Sequence, residues 1–142
     1  MLSSLVIRIR EVVMNEFDQR LKDLIERACK LHVEEKNCKL ESVYVVGELV
    51  AMHAPVRFGM PTEKFAALIG LTISQYWKRA QAARVIRYFP KTLAMVQAGE
   101  IPVGHLSMIA SRITQANASI LLTGIRGKSK REVEQLLSVL MG

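Results

Sequence analysis

A chain of 142 residues is one domain's worth, or one domain with an extension, and is long enough to bury a core. Half its residues are apolar, few are aromatic and only four are Pro, which suits a mostly helical protein, and no run approaches the roughly 18 apolar residues of a membrane span. The net charge of +7 is unevenly placed: residues 1–70 hold ten Lys/Arg and ten Asp/Glu, whereas residues 71–142 hold ten Lys/Arg against Glu100, Glu132 and Glu134. A basic half joined to a neutral half is expected when one part meets a polyanion and the other serves assembly or packing; a solvated basic face without a partner is the alternative. Arg8 and Arg10 interrupt the apolar N-terminus and no small-residue cleavage site follows, so no signal peptide is read. Cys29 and Cys38, the two cysteines, are then expected as reduced thiols of a cytoplasmic protein.

From Leu2 to about Val33, apolar residues recur at helical spacing (Leu2, Leu5, Ile9, Val12, Phe17, Leu21, Leu24, Ala28, Leu31) with charged residues between them. About 30 helical residues span ~45 Å, more than a compact domain of this size needs, so this helix either packs within the chain or pairs with a second copy. Glu34 to Lys39 reads as a connector. Leu40 to about Ala54 reads as a second helix, weakened at Gly47 and ended by Pro55, and Arg57 to Pro61 is turn-rich.

The stretch Thr62 to Pro90 carries the clearest functional signal. A short apolar segment (Phe65, Ala66, Leu68, Ile69) runs into Gly70, and a second segment opens at Ile73 and stays free of Gly and Pro until Pro90. Helix, tight turn, helix is the simplest reading, with Gly70 taking the φ > 0 conformation and Ala66 small enough for a close crossing. That outline is a helix-turn-helix, whose second helix lies in the DNA major groove and presents its N-terminal residues, here Thr72, Ser74, Gln75, Lys78 and Arg79. Between Leu71 and Lys91 stand Lys78, Arg79, Arg84, Arg87 and Lys91 and no acidic residue, which favours phosphate contact. At 100° per residue, Ile73, Tyr76, Trp77, Ala80 and Ala83 share one face, while Ala82, Val85, Ile86 and Phe89 gather opposite. Either the helix lies between two layers, or Arg84 and Arg87 pair with carboxylates and only Lys78 and Arg79 meet a ligand.

Thr92 to Ala98 reads as a short helix stopped by Gly99, and Pro102 as the first-turn proline of a helix to about Ile113. Thr114 caps a helix from Gln115 to Thr123 that ends at Gly124. Ser129 and Glu132 have capping-box spacing and open the last helix, whose buried face is Val133, Leu136, Leu137 and Leu140. Lys128, Lys130 and Arg131 stand at its start, where the helix dipole disfavours cations and a polyanion would offset the cost.

Gln81–Arg84 ("QAAR"), Pro90, Gly99–Val103, Ile113–Asn117 ("IT-x-x-N") and Gly127–Glu132 ("GKSKRE") follow one another as in the helical region that precedes the nuclease module of many bacterial HNH endonuclease proteins, and residues 40–142 resemble that region. Residues 70–109, including Gly99 and the Gly104-His105 pair, also look like the DNA-binding core of ParB-type partition proteins. The resemblance implies an all-α fold, DNA binding, and the non-catalytic part of such a protein, since the residues after the "KSKREVE" helix do not include an HNH module. Two positions depart from the pattern: Tyr76 and Arg79 stand where helix-turn-helices usually carry small aliphatic residues.

Catalysis of the HNH kind needs a His base, an orienting partner and metal ligands held together. His32, His53 and His105 are far apart in sequence, and Asp18 and Asp23, the only aspartates, share the N-terminal helix. A zinc site drawn from Cys29, His32, Cys38 and His53 yields to the simpler reading of a core cysteine beside a surface histidine. His105 is expected to pack or to face a phosphate. The expectation is therefore an all-α protein with an N-terminal helical arm or hairpin over residues 1–57 that pairs copies, and a basic helix-turn-helix domain over residues 58–142. It binds double-stranded DNA in the cytoplasm, at the nucleoid, through Thr72, Ser74, Gln75, Lys78, Arg79, Lys128, Lys130 and Arg131, with no metal, cofactor or catalysis. A helical oligomerisation or protein-interaction module is the alternative.

Overall fold

The computed structural model describes residues 16–34 and 39–141, and among them the only regular structure is helical. In chain order the helices are α1 (Glu16–Glu34), α2 (Leu40–Ala51), α3 (Ala54–Arg57), α4 (Thr62–Leu68), α5 (Ile73–Tyr88), α6 (Lys91–Gln97), a 3-10 turn (Val103–His105), α7 (Leu106–Ile109), α8 (Ala118–Ile125) and α9 (Lys130–Met141). The all-α expectation holds. The first half of the long N-terminal helix expected from Leu2, and with it the pairing role, lies outside the described residues.

The chain divides into two compact units between Ala80 and Gln81, within α5. The sequence placed the boundary at residues 57/58 instead. The reason for the shift is that α4 and the start of α5 belong to the core built on α1 and α2. That core gathers Leu21, Leu24, Ile25 and Ala28 of α1, Val45, Val46 and Leu49 of α2, Phe65, Ala66 and Leu68 of α4, and Tyr76 of α5. On α1 the 21, 24/25, 28 spacing is the i, i+3/i+4 stripe of an amphipathic helix, and on α2 the positions 42, 45, 46 and 49 make the matching stripe. Phe65 and Tyr76 meet edge-to-face, ring centroids 6.1 Å apart, which ties α4 to α5.

Several boundaries differ from those read in the sequence. Pro55 does not end α2; that helix stops at Ala51, His53 takes a left-handed φ of 54°, and Pro55 opens α3 in its first turn. Trp77, expected on the buried face of α5, is half exposed and stacks edge-on against Tyr76.

In the second unit Ile101, Val103, Leu106, Ile109, Leu121, Leu122, Ile125, Val133 and Leu137 are buried. The helix expected from Pro102 to Ile113 is instead a 3-10 turn followed by the four residues of α7. Asn117 explains the early stop: its side chain accepts from the Thr114 amide at 2.7 Å and donates to the Arg112 carbonyl at 2.8 Å, while Thr114 Oγ1 accepts from the Asn117 amide at 3.2 Å. These bonds offer residues 112–117 a closed turn in place of a continuing helix, so α8 begins at Ala118, not at Gln115. Gly124 does not end α8. It lies inside the helix, where a Cβ would stand 2.9 Å from Leu136 Cδ2, and its lack of a side chain lets α9 approach closely. Leu140, expected in the buried face of α9, is exposed.

Candidate nucleic-acid interface

The α4–α5 connection is built from its end residues. Gly70 takes φ +87° and closes the C-terminus of α4 as a Schellman motif, with the Gly70 amide on the Ala67 carbonyl at 3.1 Å and the Leu71 amide on the Ala66 carbonyl at 2.9 Å. A Cβ at Gly70 would lie 3.0 Å from His32 Cβ, so the turn is also packed against α1. The start of α5 is closed by a reciprocal capping box: the Gln75 amide donates to Thr72 Oγ1 at 3.1 Å, and the Thr72 amide donates to Gln75 Oε1 at 2.9 Å. Two neighbouring residues expected to face DNA therefore commit oxygen atoms to the helix start, and the Gln75 amide NH2 is left as its outward donor.

Of the residues expected to face a ligand here, Thr72, Ser74, Gln75 and Lys78 are exposed on the opening turns of α5. Arg79 is not. It is 5% exposed, and its guanidinium donates through Nε to Ser42 Oγ at 2.7 Å and through Nη1 to the Gln75 carbonyl at 3.3 Å. The expectation that Arg79 meets DNA is corrected on this point, and the physical reason is helical register: Arg79 lies one turn beyond Tyr76 on the side of α5 that faces the core. The two departures from helix-turn-helix composition, Tyr76 and Arg79, thus both occupy inward positions. Burial pushes the Tyr76 hydroxyl up to about 12.

Ser42 is fully buried and links Arg79 to His32, whose Nε2 lies 2.5 Å from the hydroxyl; His32 Nδ1 lies 2.8 Å from the Ile69 carbonyl. A carbonyl only accepts, so Nδ1 carries a hydrogen; with Ser42 Oγ taking the Arg79 Nε–H, the hydroxyl hydrogen is directed to His32 Nε2. Cys29 donates its thiol to the Leu68 carbonyl at 3.2 Å, and burial, with the Glu26 carboxylate nearby, pushes that thiol up. His32 is therefore the buried member of the Cys29/His32 pair and not a surface histidine. Among the described residues no group of three His, Cys, Asp or Glu stands close enough to hold a metal.

Arg84 and Arg87 are exposed and make no ion pair among the described residues, which leaves without support the idea that they pair with carboxylates. In the second unit Lys128, Lys130 and Arg131 are all exposed around the start of α9. The predicted capping box is present there: the Glu132 amide donates to Ser129 Oγ at 3.2 Å and the Ser129 amide to Glu132 Oε1 at 3.0 Å. Those bonds from Ser129, and then Lys128, hold the Glu132 carboxyl below its ordinary value. His105 belongs to the same unit; its burial, and then Lys130, push the imidazole below its ordinary value, and Nδ1 has no hydrogen-bond partner among the described residues. No helix among the described residues is long and apolar enough to cross a membrane.

Compared with known proteins, the chain matches no family model, no curated protein and no solved structure.

Sequence reasoning missed the polar core. Ala28 and His32 are four apart on α1, Ser42 falls in the stripe of α2 with Val45, Val46 and Leu49, and Arg79 follows Tyr76 by three on α5. A polar residue at an apolar-stripe position on each of three helices is a signal that the three satisfy one another, because a polar group buried alone is costly.

Proposed function

We propose that this protein is a non-catalytic, double-stranded DNA-binding protein that presents the opening turns of α5 to the duplex, with Ser74, Gln75 and Lys78 toward the groove and Thr72 at its edge. The observation that supports it most is the division of that helix into two sides. Tyr76 and Arg79 are held inside, whereas Thr72, Ser74, Gln75 and Lys78 stand in solvent on a stretch without a carboxylate from Leu71 to Gly99. A capped helix start of this composition suits an anionic, hydrogen-bonding surface. Lys128, Lys130 and Arg131 are proposed as separate phosphate contacts, and the likeness to the region ahead of HNH modules and to ParB-type segments agrees with the same reading. Cytoplasmic, nucleoid-associated localisation follows from the proposal. An electrophoretic shift with random duplexes across a salt series tests it: affinity falls steeply as salt rises, and Lys78→Glu weakens it strongly. Binding insensitive to salt contradicts the proposal. A plasmid-nicking assay with Mg²⁺ is expected to show no cleavage.

An assembly module is the second reading, favoured by Val139 and Leu140, which stand 83% and 51% exposed near the end of α9. Pairing of copies through the N-terminal helix belongs to this reading. Because α1 fills the first unit's core, the deletion that tests pairing ends at residue 15. Light scattering that gives a monomer with and without residues 1–15 removes this route, and DNA binding and pairing are compatible.

A further inference from the structure

The hydrogen-bonded chain behind the presenting turns of α5 starts and finishes on the helix-turn-helix itself. It leaves α5 at Arg79, crosses α2 at Ser42 and α1 at His32, and ends on the carbonyl of Ile69, next to the turn glycine. The Leu68 carbonyl is held from α1 by Cys29 in the same way. Ser42 is 0% exposed and Arg79 5%, so neither is on the surface offered to a ligand. Arg79 also takes the Gln75 carbonyl, and Gln75 forms the capping box with Thr72, so the bonds continue from the buried arginine to the exposed helix start. Apolar packing alone resists separation more than rotation, whereas directional bonds at fixed lengths fix the roll of a helix about its own axis. For Arg79 to reach a phosphate it would have to leave Ser42, and the hydroxyl would lose its buried donor.

We propose that Arg79 is a positioning residue for DNA binding: acting through Ser42 and His32, it fixes the roll and register at which Ser74, Gln75 and Lys78 are presented, and it makes no phosphate contact of its own. This rests on the DNA-binding reading above. The test is a salt series on one random duplex with the full chain and the variants Lys78→Ala, Ser42→Ala and Arg79→Met, at a temperature where circular dichroism shows each fully folded. Lys78→Ala is expected to flatten the plot of log affinity against log salt by about 0.9, the loss of one phosphate contact. Ser42→Ala and Arg79→Met are expected to bind about tenfold more weakly with the wild-type slope, and the double variant no more weakly than either single one. A role in stability alone would leave the affinity of the folded variants unchanged. Should either variant fail to fold, the wild-type chain still decides: the Arg79 Nε–H signal in nuclear magnetic resonance spectra is expected to keep its position and its protection from exchange when duplex is added.

Three results overturn the proposal while leaving the DNA-binding reading in place. They are wild-type affinity in Ser42→Ala, a slope reduced by Arg79→Met as much as by Lys78→Ala, and loss of protection at Arg79 Nε–H on adding duplex. A wild-type chain that binds no duplex even at low salt overturns the DNA-binding reading itself, and this inference with it.

Discussion

The two units handle charge in opposite ways. In the first, Arg20, Arg27 and Arg57 pair with Glu48, Glu41 and Asp18, and Arg79 is drawn inside to hydrogen-bond Ser42. In the second, all eight Lys/Arg of residues 81–142 are exposed, and among the described residues only Arg126 has a carboxylate partner, Glu100 at 3.1 Å. Surface pairs of this kind contribute roughly 0–1 kcal/mol each, so their abundance says little about stability. What they do is cancel field. The first unit is left nearly neutral, with an internal polar network, and the second keeps the basic excess in solvent. On the DNA-binding proposal the two tasks are separate: buried bonds set the angle of one helix, and exposed cations supply long-range attraction to a polyanion.

The sharpest way to break this contrast is to remove one group from each unit. Ser42→Ala leaves a buried guanidinium and a buried imidazole each short of a partner, and is expected to cost about 2–4 kcal/mol. Arg131→Ala, at an exposed position, is expected to change stability by no more than about 0.5 kcal/mol. Urea melts of the two variants make the comparison, and equal losses would end the idea that one unit's polar residues are structural and the other's are not. Gly70→Ala comes next, at about 1–2 kcal/mol for a left-handed residue with a Cβ, because φ is +87° and the new atom meets His32 Cβ at 3.0 Å. Gly70→Asn, which tolerates the left-handed region better, relieves the backbone part of that cost and not the crowding. A smaller loss for Asn than for Ala therefore assigns the strain to the backbone, and equal losses assign it to His32.

The residues that make local signals were legible in the sequence, and those that answer one another across the fold were not. Gly70, the end of α5 before Pro90, and the Ser129/Glu132 box all follow from chemistry within four residues, and the structure has each of them. The bounds of α7 and α8 were misplaced because Asn117 binds both Thr114 and Arg112, and a side chain that competes with a helix for its backbone leaves apolar spacing unchanged. Arg79 was read as outward because, at 100° per residue, it was placed with Lys78 away from the face of Ile73, Tyr76 and Trp77. Its interior position depends on Ser42, 37 residues away in the chain and itself bonded to His32, together with the local Gln75 carbonyl. The boundary at residue 80 was hidden for a related reason. On α5 the buried positions turn from Tyr76 and Arg79 in the first unit to Ala82 and Val85 in the second, and one unbroken helix gives no linker to detect.

Two smaller effects test the second unit's end of the comparison. Ser129→Ala removes the hydroxyl that caps α9 and is expected to cost about 1 kcal/mol. The same change should let the Glu132 carboxyl return only part of the way toward its ordinary value, since the Ser129 amide bond, the first cause of its lowering, survives in alanine and only the hydroxyl's share is lost. A carboxyl titration of Glu132 unchanged in the variant would detach the lowering from the Ser129 hydroxyl and assign it to the amide bond alone.

The smallest effect is a pH dependence carried by His105. Its imidazole is held below the ordinary value of 6.5 by burial and then by Lys130, so the folded unit favours the neutral ring more than the unfolded chain does. The sign follows from linkage: the unfolded state binds the proton first as pH falls, so the contribution is fully present above about pH 6.5 and is lost as pH drops through the lower folded value. Thermal midpoints of the wild type and His105→Gln, measured from pH 7.5 down to about pH 5, should converge on acidification as the wild type loses the larger share of its stability. A wild type that gained stability over His105→Gln as the pH fell would mean that an anion, and not burial beside Lys130, governs this side chain.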